Sequence, residues 1–243
     1  MSTSQLDLSI APQVEHRDLH YSLFAPHHYE SNYAYPLLIW LHGPDDDERE
    51  LCRIMPHLST QNYVAAGPRG CCRMADGGQG FDWCQESECI ESAEQRVFES
   101  IEIACAKYHV DSAHVFLAGY QSGGTMALRI GLQYPSSFGG ALSIGGPFPT
   151  GLAPLSRLRQ VRQLPLFIAQ GKESESYPLQ LTCDELRLFH AAAMHVTLRQ
   201  YPCSDELTTR MLSDMNAWIM EQVTGVPATS EDDSYASPRD VMN

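Results

Sequence analysis

Positive charge is scarce in this sequence, where 16 lysine and arginine residues stand against 30 aspartate and glutamate residues, for a formal net charge of -14. We expect neither nucleic acid nor an anionic membrane as a partner, because both repel an acidic surface. Long apolar runs are also lacking, since none approaches the roughly 20 residues that span a bilayer. The first residues show no basic stretch followed by an apolar run, the pattern of a signal peptide. The sequence therefore predicts a cytoplasmic protein without membrane insertion.

The cysteines lack the usual spacing of a zinc site. Four of the eight lie close together in the sequence, at Cys71, Cys72, Cys84 and Cys89. Tetrahedral zinc sites usually draw on cysteine pairs that are separated by a few residues, whereas Cys71 and Cys72 are adjacent. We therefore expect free thiols, and the sequence predicts neither a metal nor another cofactor.

Length and composition indicate one globular domain. A chain of 243 residues that is 43% hydrophobic can bury one large core. We place an N-terminal extension at residues 1–16, a single α/β domain at 17–225 and a tail at 226–243. The tail is polar, acidic and aperiodic, and such a composition predicts disorder.

Short apolar runs alternate with segments of helical period, which is typical of strand–helix units on a parallel sheet. A first strand at residues 17–25 alternates in polarity and is expected to be antiparallel. The remaining predicted strands are 36–41, 115–118, 141–144, 164–169 and, nearer the edge of the sheet, 195–201. The predicted helices are 90–108, 122–134, 179–193 and 206–223. The expected fold is α/β, with a mostly parallel central sheet and helices on both faces.

An acidic run at residues 45–48 has the composition of a cation site. Four consecutive acidic side chains cannot all point inward, however. We interpret the run as a solvated face at the N-terminus of a helix, where negative charge is favourable.

A glycine-rich turn joins the strand before Gly119 to the following helix. Its sequence, Gly119-Tyr120-Gln121-Ser122-Gly123, has the spacing of a nucleophile elbow, in which small flanking residues let the central side chain project above the sheet. The glycine spacing makes Gln121 the central residue. Centring on Ser122 would put the bulky Tyr120 where a glycine is needed.

The chain resembles the phospholipase/carboxylesterase group of the α/β-hydrolase superfamily, which includes bacterial carboxylesterases and acyl-protein thioesterases. The resemblance covers most of residues 20 to 224. It rests on Leu41-His42-Gly43, Gly67-Pro68-Arg69-Gly70, Gly119 to Gly124, Gln170-Gly171 with Tyr177-Pro178, and Tyr201-Pro202. The group typically has Gly-Phe-Ser-Gln-Gly-Gly at its elbow, so serine and glutamine are exchanged in this sequence.

The resemblance also implies positions for the other catalytic groups, and each of them departs from the pattern. Ser174 falls where the acid is expected, with Glu173 and Glu175 beside it. Asp205 falls where the histidine base is expected, and the last histidine of the chain is His195. Gln121, Ser174 and Asp205 are therefore vestigial triad positions.

The oxyanion hole departs as well. Its donors are the backbone N–H after the nucleophile, here that of Ser122, and one from the loop after the first buried strand. The resemblance gives the second donor position to Pro44, which has no N–H. Loss of one donor typically costs about 3–4 kcal/mol of transition-state stabilisation.

Two functions follow from these departures. The first is a catalytically degenerate hydrolase that binds an unidentified small molecule or protein, with His42, Gly43, Trp83, Gln121 and Asp205 lining its pocket. Gln121 and Asp205 could equally hydrogen-bond each other and plug the old site. The alternative is an active carboxylesterase or thioesterase that uses Ser122 as a displaced nucleophile with a recruited histidine such as His42. Cys203 is interpreted as an idle thiol, because its activation needs a nearby cation.

Overall fold

The computed structural model describes residues 20–73 and 79–226. The predicted N-terminal extension, and the predicted tail beyond Val226, lie outside the described residues. Within the described residues, no helix has both the length and the apolar character to cross a bilayer.

Seven of the nine described strands form the main sheet, namely β1 (Tyr21–Phe24), β2 (Tyr35–Leu41), β3 (Val64–Pro68), β6 (Val110–Tyr120), β7 (Gly140–Ile144), β8 (Leu166–Gly171) and β9 (Val196–Tyr201). Their order across the sheet is β1-β3-β2-β6-β7-β8-β9. Strand β1 pairs antiparallel with β3, and every other pair in this sheet is parallel, as predicted. A separate two-stranded ribbon consists of β4 (Cys72–Arg73) and β5 (Phe81–Asp82).

Six helices pack around the sheet in the described part of the chain. They are α1 (Glu50–Leu58), α2 (Ser87–Lys107), α3 (Ser122–Gln133), α4 (Leu158–Val161), α5 (Leu179–Ala192) and α6 (Thr209–Thr224). The predicted helices correspond to α2, α3, α5 and α6. Helix α1 was not predicted, because it contains Pro56, and proline in a sequence argues against a helix.

The sheet is buried on both faces, which explains the continuous apolar run of β2. Leu37, Ile39 and Leu41 belong to one core cluster, which includes residues of α2, α3 and α5. Leu38 and Trp40 belong to a second cluster, with residues of α1 and α6. Successive side chains of a strand point to opposite faces, so this division confirms helices on both sides of the sheet.

The acidic run before α1 is not fully solvated, contrary to prediction. Glu48 is only 8% exposed, and both of its carboxylate oxygens accept hydrogen bonds from the Arg69 guanidinium, at 2.6 and 2.7 Å. A carboxylate that approaches the interior needs such a partner. Arg69 is 21 residues away from Glu48 in the sequence, so no local pattern predicts this ion pair.

The parallel strands place several functional loops at one edge of the sheet. The loops after β2, β6, β8 and β9 all follow the carboxyl ends of strands, where ligands bind in open α/β sheets. These loops carry the candidate site.

Candidate active site

Gln121 occupies the apex of the elbow, between β6 and α3. Its backbone angles are φ 46° and ψ -114°, a conformation that side-chain-bearing residues rarely adopt. The turn is tight enough that a Cβ on Gly119 would lie 2.4 Å from the Gly123 carbonyl carbon. Ser122 is instead the first residue of α3. The glycine spacing therefore located the strained position correctly.

The Gln121 side chain bonds towards the loop after β9. Its Nε2 donates to the Asp205 backbone oxygen at 3.1 Å and to the Tyr120 hydroxyl oxygen at 3.2 Å. The Tyr120 hydroxyl itself donates to the same Asp205 oxygen. The Gln121 side chain therefore links the elbow to the loop after β9.

The Asp205 carboxylate turns away from Gln121. It accepts hydrogen bonds from the hydroxyls of Ser174 and Ser176, each at 2.5 Å, and from the Glu175 backbone N–H at 3.1 Å. The bond from Ser174, followed by that from Ser176, lowers the pKa of the Asp205 carboxyl. Asp205 thus contacts Gln121 through its backbone oxygen and Ser174 through its carboxylate, so the three positions that the resemblance gives to a triad are neighbours.

His42 is buried, and both of its ring nitrogens are occupied. The Gly70 backbone N–H lies 2.8 Å from Nε2, and the Gly43 carbonyl lies 2.7 Å from Nδ1. A peptide N–H can only donate, so Nε2 accepts and Nδ1 carries the proton. Burial lowers the pKa of His42, which favours this neutral form. Its lone pair is therefore already used and cannot take a proton from Ser122.

The loop after β2 carries Pro44, the position to which the resemblance gives an oxyanion donor. Pro44 has no N–H, and the neighbouring Gly43 N–H donates to Glu50 Oε2 at 2.8 Å. The same carboxylate oxygen accepts from Trp40 Nε1 at 3.2 Å. Burial raises the pKa of the Glu50 carboxyl. The backbone donor nearest to Pro44 in the chain is thus committed to an internal acceptor.

A cavity of about 480 Å³ opens beside the elbow. Residues from several loops and from α3 and α5 line it: Pro44, Trp83, Gln85, Gln121, Ser122, Thr125, Gly145, Pro147, Phe148, Thr150, Ser176 and Leu181. No histidine and no charged side chain is among these lining residues, all of which belong to the described part of the chain.

Two of the predicted lining residues, Trp83 and Gln121, are in the wall of this cavity, and three are not. His42 turns its ring towards the Gly70 backbone, and the Asp205 carboxylate turns towards Ser174. Gly43 faces the Tyr120 ring, since a Cβ added to it would lie 2.6 Å from a ring carbon. His42, Gly43 and Asp205, which were predicted to line the pocket, are therefore absent from the wall of this cavity.

Two residues that line the cavity each have a buried polar atom without a hydrogen-bond partner among the described residues, namely Gln85 Nε2 and Ser122 Oγ. The Gln85 amide is oriented by Arg129, whose Nε donates to Gln85 Oε1 at 2.6 Å. Because arginine can only donate, the amide nitrogen must face the other way. The sequence offered no signal for Gln85, since this contact joins residues 44 apart.

A second cavity of about 580 Å³ adjoins the first and shares Phe148, Thr150 and Leu181 with it. Leu155 and Leu188 add further apolar side chains to its wall. The sequence did not predict this cavity, because the loop between β7 and α4 shows no periodicity. The wall of the second cavity is mostly apolar, and it also includes Asp184 and Glu185.

The cysteines divide into two sets. Burial raises the pKa of the Cys203 thiol, and nearby Glu206, Glu173 and Asp205 raise it further, so no thiolate nucleophile is favoured there. Cys71, Cys72, Cys84 and Cys89, which were predicted to be plain free thiols, converge in one cluster.

The sheet order, the strained turn between β6 and α3 and the loops gathered at the carboxyl ends of the strands define an α/β-hydrolase fold. Within that class, the chain belongs to the phospholipase/carboxylesterase family, whose model matches residues 30–222.

Solved structures of esterases have the same fold. The carboxylesterase of Bacillus cereus superposes with a TM-score of 0.65 at 16% identity, over 85% of this chain and 96% of that protein. The acyl-protein thioesterase 2 of Zea mays gives 0.66 at 14% identity, over 84% and 99%. A carboxylesterase of Mesorhizobium loti gives 0.62 at 19% identity, over 79% and 89%. At these identities the likeness establishes the fold alone.

Proposed function

We propose that this chain is a catalytically degenerate hydrolase domain that binds a small molecule in the cavity beside the elbow. One observation carries the proposal: an open cavity of about 480 Å³ persists beside an elbow whose apex is Gln121. A cavity that had merely lost its catalytic groups could have collapsed around Gln121. Instead, the Gln121 amide bonds to Asp205 and leaves the space open.

The site lacks a complete set of catalytic groups for ester hydrolysis. The apex lacks a nucleophile, the base position holds Asp205, and the acid position holds Ser174. Ser122 Oγ is unpartnered, so it has no general base within hydrogen-bond reach among the described residues. Loss of a triad typically lowers kcat by about 10⁶-fold.

The cavity wall indicates the chemistry of the ligand. The Gln85 amide nitrogen is a donor, and the Ser122 hydroxyl can donate as well. Both atoms are buried and unpartnered, so rotation of either side chain towards a ligand oxygen that accepts from it removes the cost of leaving it without a partner. No charged group lines this cavity among the described residues, which favours a neutral oxygen such as that of an ester or amide. The adjoining cavity suits an apolar chain.

Two experiments test the two halves of this proposal. Labelling with a fluorophosphonate probe, beside a p-nitrophenyl butyrate assay, tests degeneracy. We expect neither labelling nor turnover above the level of the Ser122→Ala variant. Labelling at Ser122 with turnover that Ser122→Ala abolishes would overturn the degenerate assignment in favour of the active hydrolase.

Thermal-shift measurements test the ligand class. We expect octanamide and methyl octanoate to raise the Tm, and octanoate and glucose to have little effect. Gln85→Glu keeps the acceptor for Arg129 but replaces the amide donor with an oxygen, so it should lose the shift. Gln163→Glu, at an exposed position, brings the same change of charge and should retain it. If none of these compounds shifts the Tm of the wild type, the proposed ligand class is wrong.

We also propose a cytoplasmic location, on the free thiols of Cys52, Cys105, Cys183 and Cys203. Such thiols persist in reducing compartments. Cell fractionation tests the location, and recovery of the chain outside the cytoplasmic fraction contradicts it.

A further inference from the structure

Four cysteine sulfurs meet beside the wall of the first cavity. The Sγ atoms of Cys71, Cys72, Cys84 and Cys89 all lie within 4.8 Å of one another. Cys72 Sγ is 3.6 Å from that of Cys71 and 3.1 Å from that of Cys89, and Cys84 Sγ contacts both Cys72 and Cys89. These residues come from the loop after β3, from β4, from the segment after β5 and from the first turn of α2. They belong to four different segments of the chain, and their sulfurs converge in space.

Disulfide bonding does not account for this arrangement. A disulfide sulfur bonds to one other sulfur, so Cys84 cannot be joined to both Cys72 and Cys89. Either pairing leaves two further thiols packed against the bond. Four sulfurs that all crowd around one point match the ligand shell of a single cation instead.

We propose that Cys71, Cys72, Cys84 and Cys89 bind one zinc ion as a closed structural site. Zinc–sulfur bonds of about 2.3 Å in a tetrahedron place the sulfurs roughly 3.8 Å apart. Separations of 3.1 and 3.6 Å lie below that spacing, and the outer limit of 4.8 Å lies above it. Cys84 Sγ lies closer still to Cys72 and to Cys89, so zinc binding requires the Cys84 side chain to move away from both.

The ligand set and its compactness favour zinc over other metals. Thiolates are poor ligands for calcium and magnesium, which prefer oxygen. Iron–sulfur clusters also use four cysteines, but they hold several irons between them and need a wider cage. Four protein ligands complete the coordination of zinc and leave no open position, which makes the site structural rather than catalytic.

The sequence argument against a metal site was that Cys71 and Cys72 are adjacent. The positions of their sulfurs answer this objection. The chain bends at Cys71 and enters β4 at Cys72, and the two sulfurs converge rather than diverge. The Arg96 guanidinium lies near Cys71. Arg96 is itself fixed by bonds to the Arg69 and Gly70 carbonyls, so a positive charge stays beside a site whose net charge with zinc is negative.

The ribbon of β4 and β5 gives the site a structural task. Each strand has two residues, and a hairpin of that size is not stable alone. Zinc would fasten the ribbon to the start of α2. Cys84 lies between Trp83 and Gln85, which both line the first cavity, so the same bond would hold the cavity wall in place.

Metal analysis of the full-length chain tests the proposal without reference to the ligand of the cavity. The protein is produced with zinc in the medium and purified under reducing conditions, and its metal content is measured by mass spectrometry. We expect about one zinc per chain. Cys89→Ser should lose most of it, whereas Cys105→Ser, an exposed cysteine of α2, should keep it.

Two further measurements keep the test decisive if a cysteine variant fails to fold. Replacement of zinc by cobalt in the wild type should give the visible absorption of a tetrahedral thiolate site. A chelator should lower the Tm of the wild type by about 5 °C or more. Wild-type protein that contains no zinc and does not take up cobalt overturns the proposal, whether its thiols are free or joined in a disulfide. Stoichiometric iron overturns the assignment to zinc.

Discussion

Ser174 Oγ donates a 2.5 Å hydrogen bond to the Asp205 carboxylate. The family resemblance gives these two positions to the acid and to the base of a triad, so the pair preserves the contact between them with different chemistry. The loops after β8 and β9 still meet beside the elbow. A carboxylate that accepts from Ser174 and Ser176 fastens these loops to each other, where a histidine would have faced the nucleophile.

The first prediction concerns the acid sensitivity of this loop contact. Hydrogen bonds from Ser174 and Ser176 lower the pKa of Asp205, so the folded state favours its ionised form. The stabilisation is therefore present above the unfolded pKa, near 3.8, and is lost as the pH falls through the folded pKa. We expect Asp205→Asn to lower the free energy of unfolding at pH 7 by about 1 kcal/mol, with a smaller difference near pH 3.

Urea denaturation across this pH range provides the measurement. Asp184→Asn removes an exposed carboxylate of α5 that pairs with Arg187, and it should change stability much less. Equal losses in the two variants, or a loss for Asp205→Asn that does not depend on pH, contradict the prediction.

The second prediction concerns backbone strain at the elbow. Gln121 holds φ at 46° and ψ at -114°, where glycine is favoured. Gln121→Ala and Gln121→Gly lose the same side-chain hydrogen bonds, but only glycine relieves the strain. We expect the glycine variant to be the more stable of the two by about 1–2 kcal/mol in chemical denaturation.

Alanine and glycine at an exposed position of an ordinary helix should show the opposite order of stability. Ala106 is exposed on α2, so we expect Ala106→Gly to lower the free energy of unfolding by about 1 kcal/mol. If the alanine variant at position 121 is the more stable, the elbow is not strained in solution.

The sequence predicted the fold well because burial leaves a local pattern. The run of β2 is apolar throughout since both faces of the strand are covered, and the stripe of α2 repeats every three to four residues. Helix α1 also has buried residues at such steps, but Pro56 obscured it.

The sequence predicted less of the candidate site, because the orientation of polar groups depends on distant partners. The elbow followed from glycine spacing. The free amide nitrogen of Gln85 depends on Arg129, and the turn of His42 away from the cavity depends on the Gly70 N–H. The cysteine cluster depends on the ribbon of β4 and β5, and strands of two residues are too short to show a periodic pattern in the sequence. Contacts of this kind join residues that local patterns cannot connect.

The third prediction concerns the buried carboxyl of Glu50. Burial raises its pKa above the usual 4.5, although the bonds from Gly43 and Trp40 lower it in part. Ionisation of Glu50 therefore costs the folded state more than the unfolded state. Its contribution to stability is fully present below pH 4.5 and is lost as the pH rises through the folded pKa.

Glu50→Gln keeps an oxygen that can accept from Gly43 and Trp40 and removes the ionisation. We expect this variant to have a higher Tm than the wild type at pH 8, with the difference shrinking towards pH 4. Glu102→Gln, exposed on α2, serves as the control and should show no such trend. A Tm advantage of Glu50→Gln that grows on acidification contradicts the sign of the pKa shift.

The fourth prediction is that the family chemistry can be rebuilt stepwise on this backbone. The combined variant Gln121→Ser, Ser174→Asp and Asp205→His places a serine at the strained apex and a histidine beside a carboxylate. It still lacks the oxyanion donor at Pro44. We expect only weak hydrolysis of p-nitrophenyl butyrate from this triple variant.

Addition of Pro44→Gly to the triple variant supplies the missing N–H. Because one oxyanion donor is worth roughly 10²–10³ in kcat, we expect an increase of that order with a smaller change in KM. The counterpart that carries Gln121→Ala in place of Gln121→Ser should stay inactive and controls for contaminating esterases. An unchanged kcat after Pro44→Gly contradicts the prediction, and a phosphonate-bound structure of the variant then identifies the reason. If the phosphonate oxygen lies beyond hydrogen-bond distance of the residue 44 nitrogen, the loop does not direct this N–H at the reacting oxygen. If the oxygen lies within that distance, the missing donor was not the limiting defect.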